Sequence, residues 1–266
     1  MDILYSISGF VVGVLVGITG VGGGSLMTPL LVFLFGFQPA VAVGTDLLYA
    51  ALTKSGGVFV HHGKHQSVDW RVVLLLSAGS LPLAVVTLFA INYFMSVGTE
   101  TTGAISFTLG IALLLTASAL LLRAALLRGR NDVLAHETPL RHVARFGRWE
   151  VPATVLTGAV LGVLVTLSSV GAGALGTVAL LFLYPRSGTL KIVGTDLAHA
   201  IPLTAVAGFG HWMLGNVDFV LLGSLLLGSL PGIWIGSHLS ARIPELWLRP
   251  ALALILILIG LKFVLS

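Results

Sequence analysis

The chain has 266 residues, of which 56% are hydrophobic and 9% are charged, with a mean hydropathy of +1.05. A soluble domain carries about 25% charged residues to solvate its surface, so this composition excludes one and requires most long segments to face lipid. The absence of cysteine excludes disulfides, thiol redox chemistry and Cys-ligated metal. The net charge of +4 does not signal nucleic acid either, because six of the 14 basic residues, Arg123, Arg128, Arg130, Arg141, Arg145 and Arg148, share one connecting segment.

Residues 3–37 are too long an apolar stretch for one crossing at about 1.5 Å per residue and too short for two. They are interrupted by Gly20-Val21-Gly22-Gly23-Gly24, where small residues favour unwinding over continuous helix. No Lys or Arg precedes Lys54, so the positive flank of a cleaved signal peptide is lacking and the stretch is expected to remain as structure. Gly9, Gly13 and Gly17 recur at every fourth position, a spacing that suits close helix packing. Apolar runs of spanning length follow at 40–62, 70–91 and 99–122. Residues 123–150 then read as a solvated cytoplasmic linker, with a regulatory or lipid-headgroup role as the alternative. Residues 151–184 form a second broken segment, interrupted by Ser168-Ser169-Val170-Gly171-Ala172-Gly173, and spans are expected at 189–210, 217–238 and 247–265.

The two halves repeat each other. Gly44-Thr45-Asp46-Leu47 recurs as Gly194-Thr195-Asp196-Leu197, and Gly79-Ser80-Leu81-Pro82 as Gly228-Ser229-Leu230-Pro231. The offsets (194 − 44 and 228 − 79) are 150 and 149, and a similar spacing carries Val21-Gly22-Gly23-Gly24 onto Val170-Gly171-Ala172-Gly173. In so apolar a chain, internal duplication is a signature of secondary transporters, whose substrate path lies between related halves. Positive charge orients them. If both broken segments are re-entrant hairpins, Lys64, Arg71, the six central arginines, Arg186, Lys191, Arg242 and Arg249 share one side, against Lys262 alone. That is twelve against one, with Lys54 inside a span; full crossings give nine against four. The expected fold is therefore an all-α integral membrane protein of two inverted repeats, each a broken or re-entrant helical hairpin plus three transmembrane helices. The expected organisation is a first repeat over 1–122, the linker over 123–150 and a second repeat over 151–266.

Unwound backbone at membrane depth is tolerated only where it lines a cavity or is buried in protein, so the breaks point to an internal site. Gly20, Gly22, Gly23 and Gly24 with Ser25, and Ser168, Ser169, Gly171 and Gly173, are candidate binding positions. The helices beginning at Ser25 and Ala174 would turn their first N–H groups toward an anion. Close packing is the competing reading of these glycines, and no Gly-Lys-Ser/Thr follows to make a phosphate loop. Asp46 and Asp196 lie at equivalent places inside apolar spans, where a carboxylate costs about 2.5 to 3.5 kcal/mol on the mildest insertion scale. A proton-carrying role and a helix-capping role are equally open. Thr45 and Thr195 add hydroxyls beside them, although a helical Thr commonly bonds its own preceding turn.

Lys54 has no basic counterpart, since Thr204 holds the equivalent place. It can neutralise an anion or snorkel to the inner surface; a bond to Asp46, eight residues and about 12 Å along the same helix, is not expected. His199, one turn after Asp196, is a further site candidate. His61, His62, His65 and His211 lack a metalloprotease pattern or a carboxylate cluster and read as structural or interfacial, so no metal or cofactor is expected.

At these residues the chain resembles the sulfite exporter TauE/SafE family over essentially its whole length. The resemblance implies a multi-pass protein of the bacterial inner membrane moving sulfite, an organosulfonate such as sulfoacetate, or a similar small anion. Its partners would then be the anionic substrate, membrane lipid and a coupling proton or cation. Where members often carry Ser or Asn after Gly-Thr, this chain has Asp46 and Asp196, which puts its ion coupling and specificity in question. The expected function is secondary transport by alternating access, with an anion channel or an intramembrane enzyme as alternatives. An enzyme is disfavoured because no nucleophile, base or ligand set converges.

Overall fold

The structure, a computed structural model, describes residues 3–19, 24–65, 68–97, 102–135, 149–240 and 245–265, and of residues 3, 16, 19, 24–25, 56–65, 124–135, 237, 240 and 245–249 only the backbone. The described residues form ten helices: α1 (Ile3–Thr19), α2 (Gly24–Phe33), α3 (Pro39–His65), α4 (Trp70–Ser96), α5 (Thr102–Ala135), α6 (Glu150–Ser168), α7 (Leu175–Leu183), α8 (Thr189–Met213), α9 (Phe219–Ser240) and α10 (Glu245–Leu265). The fold is all-helical, as the apolar runs predict.

Five of these helices are long and apolar enough to cross a membrane: α4, the first 22 residues of α5, α6, α8 and α9. Polar side chains, Asp46 and Lys54 among them, dilute the 27 residues of α3. The outward surface is apolar, with Leu74, Phe89, Leu156, Trp234 and Leu258 exposed. Asp46, Asp196, His199 and Lys54 are buried instead. This inversion of the soluble pattern follows from lipid as the solvent, because charge must retreat from hydrocarbon to the protein interior.

Two features of the boundaries are visible only in the structure. Helix α5 runs on through the start of the expected linker to Ala135; residues 136–148, with Arg141, Arg145 and Arg148, lie outside the described residues, as does Arg242. The arms of each broken segment are unequal. The long arms α1 and α6 have 17 and 19 residues, whereas α2 and α7 have 10 and 9, about 15 Å or less of helix.

Contacts between the halves come in reciprocal pairs. On α1, Gly9 and Gly13 lie against the backbone of Leu225 and Ser229 on α9; on α6, Gly158 and Gly162 lie against Leu76 and Ser80 on α4. Each member of the second set is 149 residues from its counterpart in the first. Equally, the Thr45 hydroxyl accepts from the Asp218 N–H at 3.0 Å, and the Thr195 hydroxyl from the Asp69 N–H at 2.9 Å. The helices α3 and α8 pack against each other, with Gly44 against His211 and Asn216 and Gly208 against Leu48, so they run antiparallel. The helices α5 and α10 form another equivalent pair.

Both broken segments fold back on themselves. The Tyr5 ring, near the start of α1, meets Phe35 just beyond α2 at 5.1 Å between centroids. At the equivalent positions, Thr154 near the start of α6 and Tyr184 just beyond α7 share a hydroxyl–hydroxyl hydrogen bond of 2.8 Å. Each pair brings the two ends of its segment together.

Candidate functional site

The second break is a compact turn between α6 and α7. Ser169 caps α6 in the left-handed region at φ 59, and Gly171 and Gly173 follow at φ 117 and 115, values that only glycine adopts without strain. A serine kept at positive φ in a buried turn is a cost that the surrounding structure must hold in place. The Ser168 hydroxyl stabilises the turn locally, donating to Leu164 O at 2.6 Å and accepting from the Val170 N–H at 3.2 Å. The Ser169 hydroxyl is buried without a hydrogen-bond partner and lies beside Asp46. Of the first break, Gly20, Gly22 and Gly23 lie outside the described residues, Gly24 opens α2, and the side chain of Ser25 is not described.

The expectation that α7 turns its first N–H groups toward a ligand meets a different arrangement. The Leu175 and Gly176 N–H groups both point to Gly171 O, at 3.0 and 3.4 Å, so the turn itself absorbs them. Polarity at the break comes instead from side chains on α3 and α8.

Lys54 is the central one. It is 7% exposed and its Nζ donates to Ala172 O in the second break at 3.3 Å, across 118 residues of sequence. It therefore does not snorkel. Among the described residues no carboxylate lies within ion-pair distance of it, and the bond to Ala172 O uses one of its three N–H donors. Asp46 and Asp196 flank it near enough to interact electrostatically, and the buried Arg123 of α5 acts on Asp196 from another side.

Each aspartate is met by a threonine from the short arm of its own half. Thr28 on α2 donates to Asp46 Oδ2 at 2.5 Å, and the Thr177 hydroxyl on α7 lies 2.7 Å from Asp196 Oδ2. The other oxygen of each carboxyl, Oδ1, is buried without a partner. Gly176 lies directly against Asp196 Oδ1, where a Cβ would collide. Thr28 and Thr177 are absent from the candidates read from the sequence, although their separation of 149 residues is the signal that reveals them.

The other candidates engage partners of their own. Thr45 and Thr195 bind the backbone of the loops before α9 and α4, and Thr195 also donates to Lys191 O at 2.6 Å. His199 places Nε2 2.8 Å from the Ser80 hydroxyl on α4 and leaves Nδ1 buried without a partner. Tyr49 holds the equivalent place in α3, its hydroxyl within reach of Ser229 but in no hydrogen-bond geometry. His211 pairs Nε2 with Thr166 O at 2.9 Å, while the side chains of His61, His62 and His65 are not described. Among the described residues no group of His, Asp or Glu could hold a metal ion.

Lys54 and the paired aspartates thus lie buried inside an apolar helical body, and comparison with known proteins gives that body a family. A family model described as sulfite exporter TauE/SafE matches residues 5–263. The chain is 37% identical over 226 residues to a probable membrane transporter protein, YjnA, of Bacillus subtilis, covering 85% of each chain. It is 26% identical over 224 residues to a second from that organism, YdhB, covering 82% of this chain and 81% of the other. No solved structure matches. The chain is a multi-pass membrane protein and belongs to the sulfite exporter TauE/SafE family.

Proposed function

We propose that the protein moves a small anion, sulfite or an organosulfonate such as sulfoacetate, across the bacterial inner membrane by alternating access between two inverted repeats. The repeats are residues 1–122 and 151–266, joined by the cytoplasmic linker 123–150. The observation that carries the reading is Lys54, a buried ammonium bonded to a carbonyl of the second break and, among the described residues, to no carboxylate. At an effective dielectric constant of about 20, an anion 4 Å from it gains roughly 4 kcal/mol, enough to draw a sulfonate from water when hydroxyl donors complete its coordination. Ser169 supplies one such hydroxyl. Lys54 and the second break thus form the anion site, with Asp46 and Asp196 the ion-coupling groups beside it.

Alternating access rests on the reciprocal contacts. When α1 packs on α9 as α6 packs on α4, exchanging the two halves regenerates the same interfaces, and a small rearrangement can exchange which end is open. The folded-back broken segments fit re-entrant hairpins, which start the two repeats from opposite faces. The test is uptake into proteoliposomes of sulfite, sulfoacetate, taurine, thiosulfate, sulfate and chloride, with and without a pH gradient. Accumulation of a sulfur oxyanion or organosulfonate driven by the gradient is expected. Flux that only dissipates its own gradient would identify a channel and overturn the proposal.

A further inference from the structure

The hydroxyl of Thr177 touches two acceptors. Its Oγ1 lies 2.7 Å from Gly173 O and 2.7 Å from Asp196 Oδ2. A hydroxyl has one proton and a backbone carbonyl has none to give. Two hydrogen bonds through the chain carbonyl–hydroxyl–carboxyl therefore need a second proton, and only Asp196 can supply it. We propose that Asp196 carries the coupling proton in this conformation, donating to Thr177, which donates to Gly173 O and so reports the proton to the turn that Lys54 grips. This deepens the anion-transport reading and rests on its assignment of Lys54.

A second observation supports the proton. Asp196 Oδ1 is buried, faces Gly176 and has no donor. An ionised carboxylate with one bare oxygen in an apolar interior is costly, whereas the carbonyl oxygen of a neutral carboxyl is far less so. Among the described residues, the charged groups acting on Asp196 are Lys54 from α3 and Arg123 from α5. On its own helix His199 engages Ser80, and α7 contributes the Thr177 hydroxyl.

Charge also links proton to anion, because Lys54 is the cation that Asp196 and an arriving anion share, and a neutral Asp196 leaves that charge to the anion. The mechanical link is equally direct. Lys54 holds Ala172 O and Thr177 holds Gly173 O, consecutive carbonyls of one turn. Loss of the proton turns the Thr177 hydroxyl to the new carboxylate, frees Gly173 O and loosens the turn beside the anion. Proton and anion therefore favour each other's binding reciprocally.

The test needs no transported ligand. Infrared spectra of the purified protein in lipid nanodiscs at pH 7, in water and in deuterium oxide, report protonated carboxyls through their carbonyl stretch. A protonated-carboxyl band is expected in the wild type, lost in Asp196→Asn, and moved in Thr177→Val, which removes the hydrogen bond at constant shape, but restored in Thr177→Ser. If Asp196→Asn does not fold, the Thr177 pair carries the test alone. A wild type without the band, a band unchanged in the variants, or one abolished by sodium at constant pH would overturn the assignment. Sulfite binding compared between wild type and Lys54→Gln reports separately on the anion reading, so the two can fail independently.

Discussion

Lys54 should dominate affinity at the residue scale, because it is a buried cation with no direct carboxylate partner among the described residues. Lys54→Gln keeps a donor for Ala172 O and removes the charge. Loss of a buried charged hydrogen bond costs about 2 to 3 kcal/mol, so sulfite affinity measured by calorimetry should fall roughly 30- to 150-fold with the fold intact. Asp69 offers a separate pH signature. Its carboxyl lies 2.8 Å from the Lys191 ammonium, whose hydrogen bond holds it below the ordinary carboxylate range. A depressed carboxyl stabilises the fold above its unfolded value near 3.9, and that contribution is lost as pH falls through the folded value. Both side chains are partly exposed, which limits the effect to under about 1 kcal/mol. Asp69→Asn keeps the cap on Val72 N–H and should unfold slightly below wild type at pH 7, with the gap closing in acid. A gap that stays the same from neutral to strongly acidic pH would contradict the ion-pair account. Asp46, Asp196 and Lys54 were legible as sequence because charge in an apolar run is conspicuous. The target of Lys54 was not, because Ala172 is 118 residues away and only the packing of α3 on the second break joins them.

Glycine at the helix contacts has a steeper role at the element scale than sequence spacing suggests. A spacing of four identifies Gly9 and Gly13 as packing positions, and a methyl group can often be absorbed at such a contact. Here it cannot. A Cβ at Gly9 would lie 2.6 Å from Leu225 O, and one at Gly13 would lie 2.5 Å from Ser229 O. Those atoms are backbone of the facing helix and cannot rotate away. Gly9→Ala and Gly158→Ala should each destabilise by about 1 to 3 kcal/mol as α1 separates from α9 or α6 from α4. Lowered thermal midpoints of similar size in detergent are the expected result, and wild-type midpoints would mean the helix pairs are not held as described. The turn after α6 was also legible from Gly171 and Gly173. The fate of the first α7 N–H groups was not, because it depends on the carbonyl of Gly171 turning inward to receive them.

The repeat makes a prediction at the scale of the whole molecule that neither half makes alone. Gln38, after the first broken segment, and Ser187, after the second, are separated by 149 residues and occupy equivalent places. If each broken segment is a re-entrant hairpin, each position returns to the face where its own repeat began. The twelve-to-one charge distribution puts the second of these faces inside. The connection between α8 and α9 lies one crossing beyond Ser187, at the end where Thr45 meets Asp218, and so on the same face as Gln38. Because the chain has no cysteine, each position can be labelled without background. In intact cells an impermeant maleimide should label Gln38→Cys and Met213→Cys, the latter 75% exposed, whereas Ser187→Cys should react only after the membrane is opened. Equivalent residues would then lie on opposite sides, as inversion requires. Labelling of Gln38→Cys and Ser187→Cys from the same side would show that the repeats are inserted in parallel, and the exchange of open ends proposed for transport would lose its geometric basis.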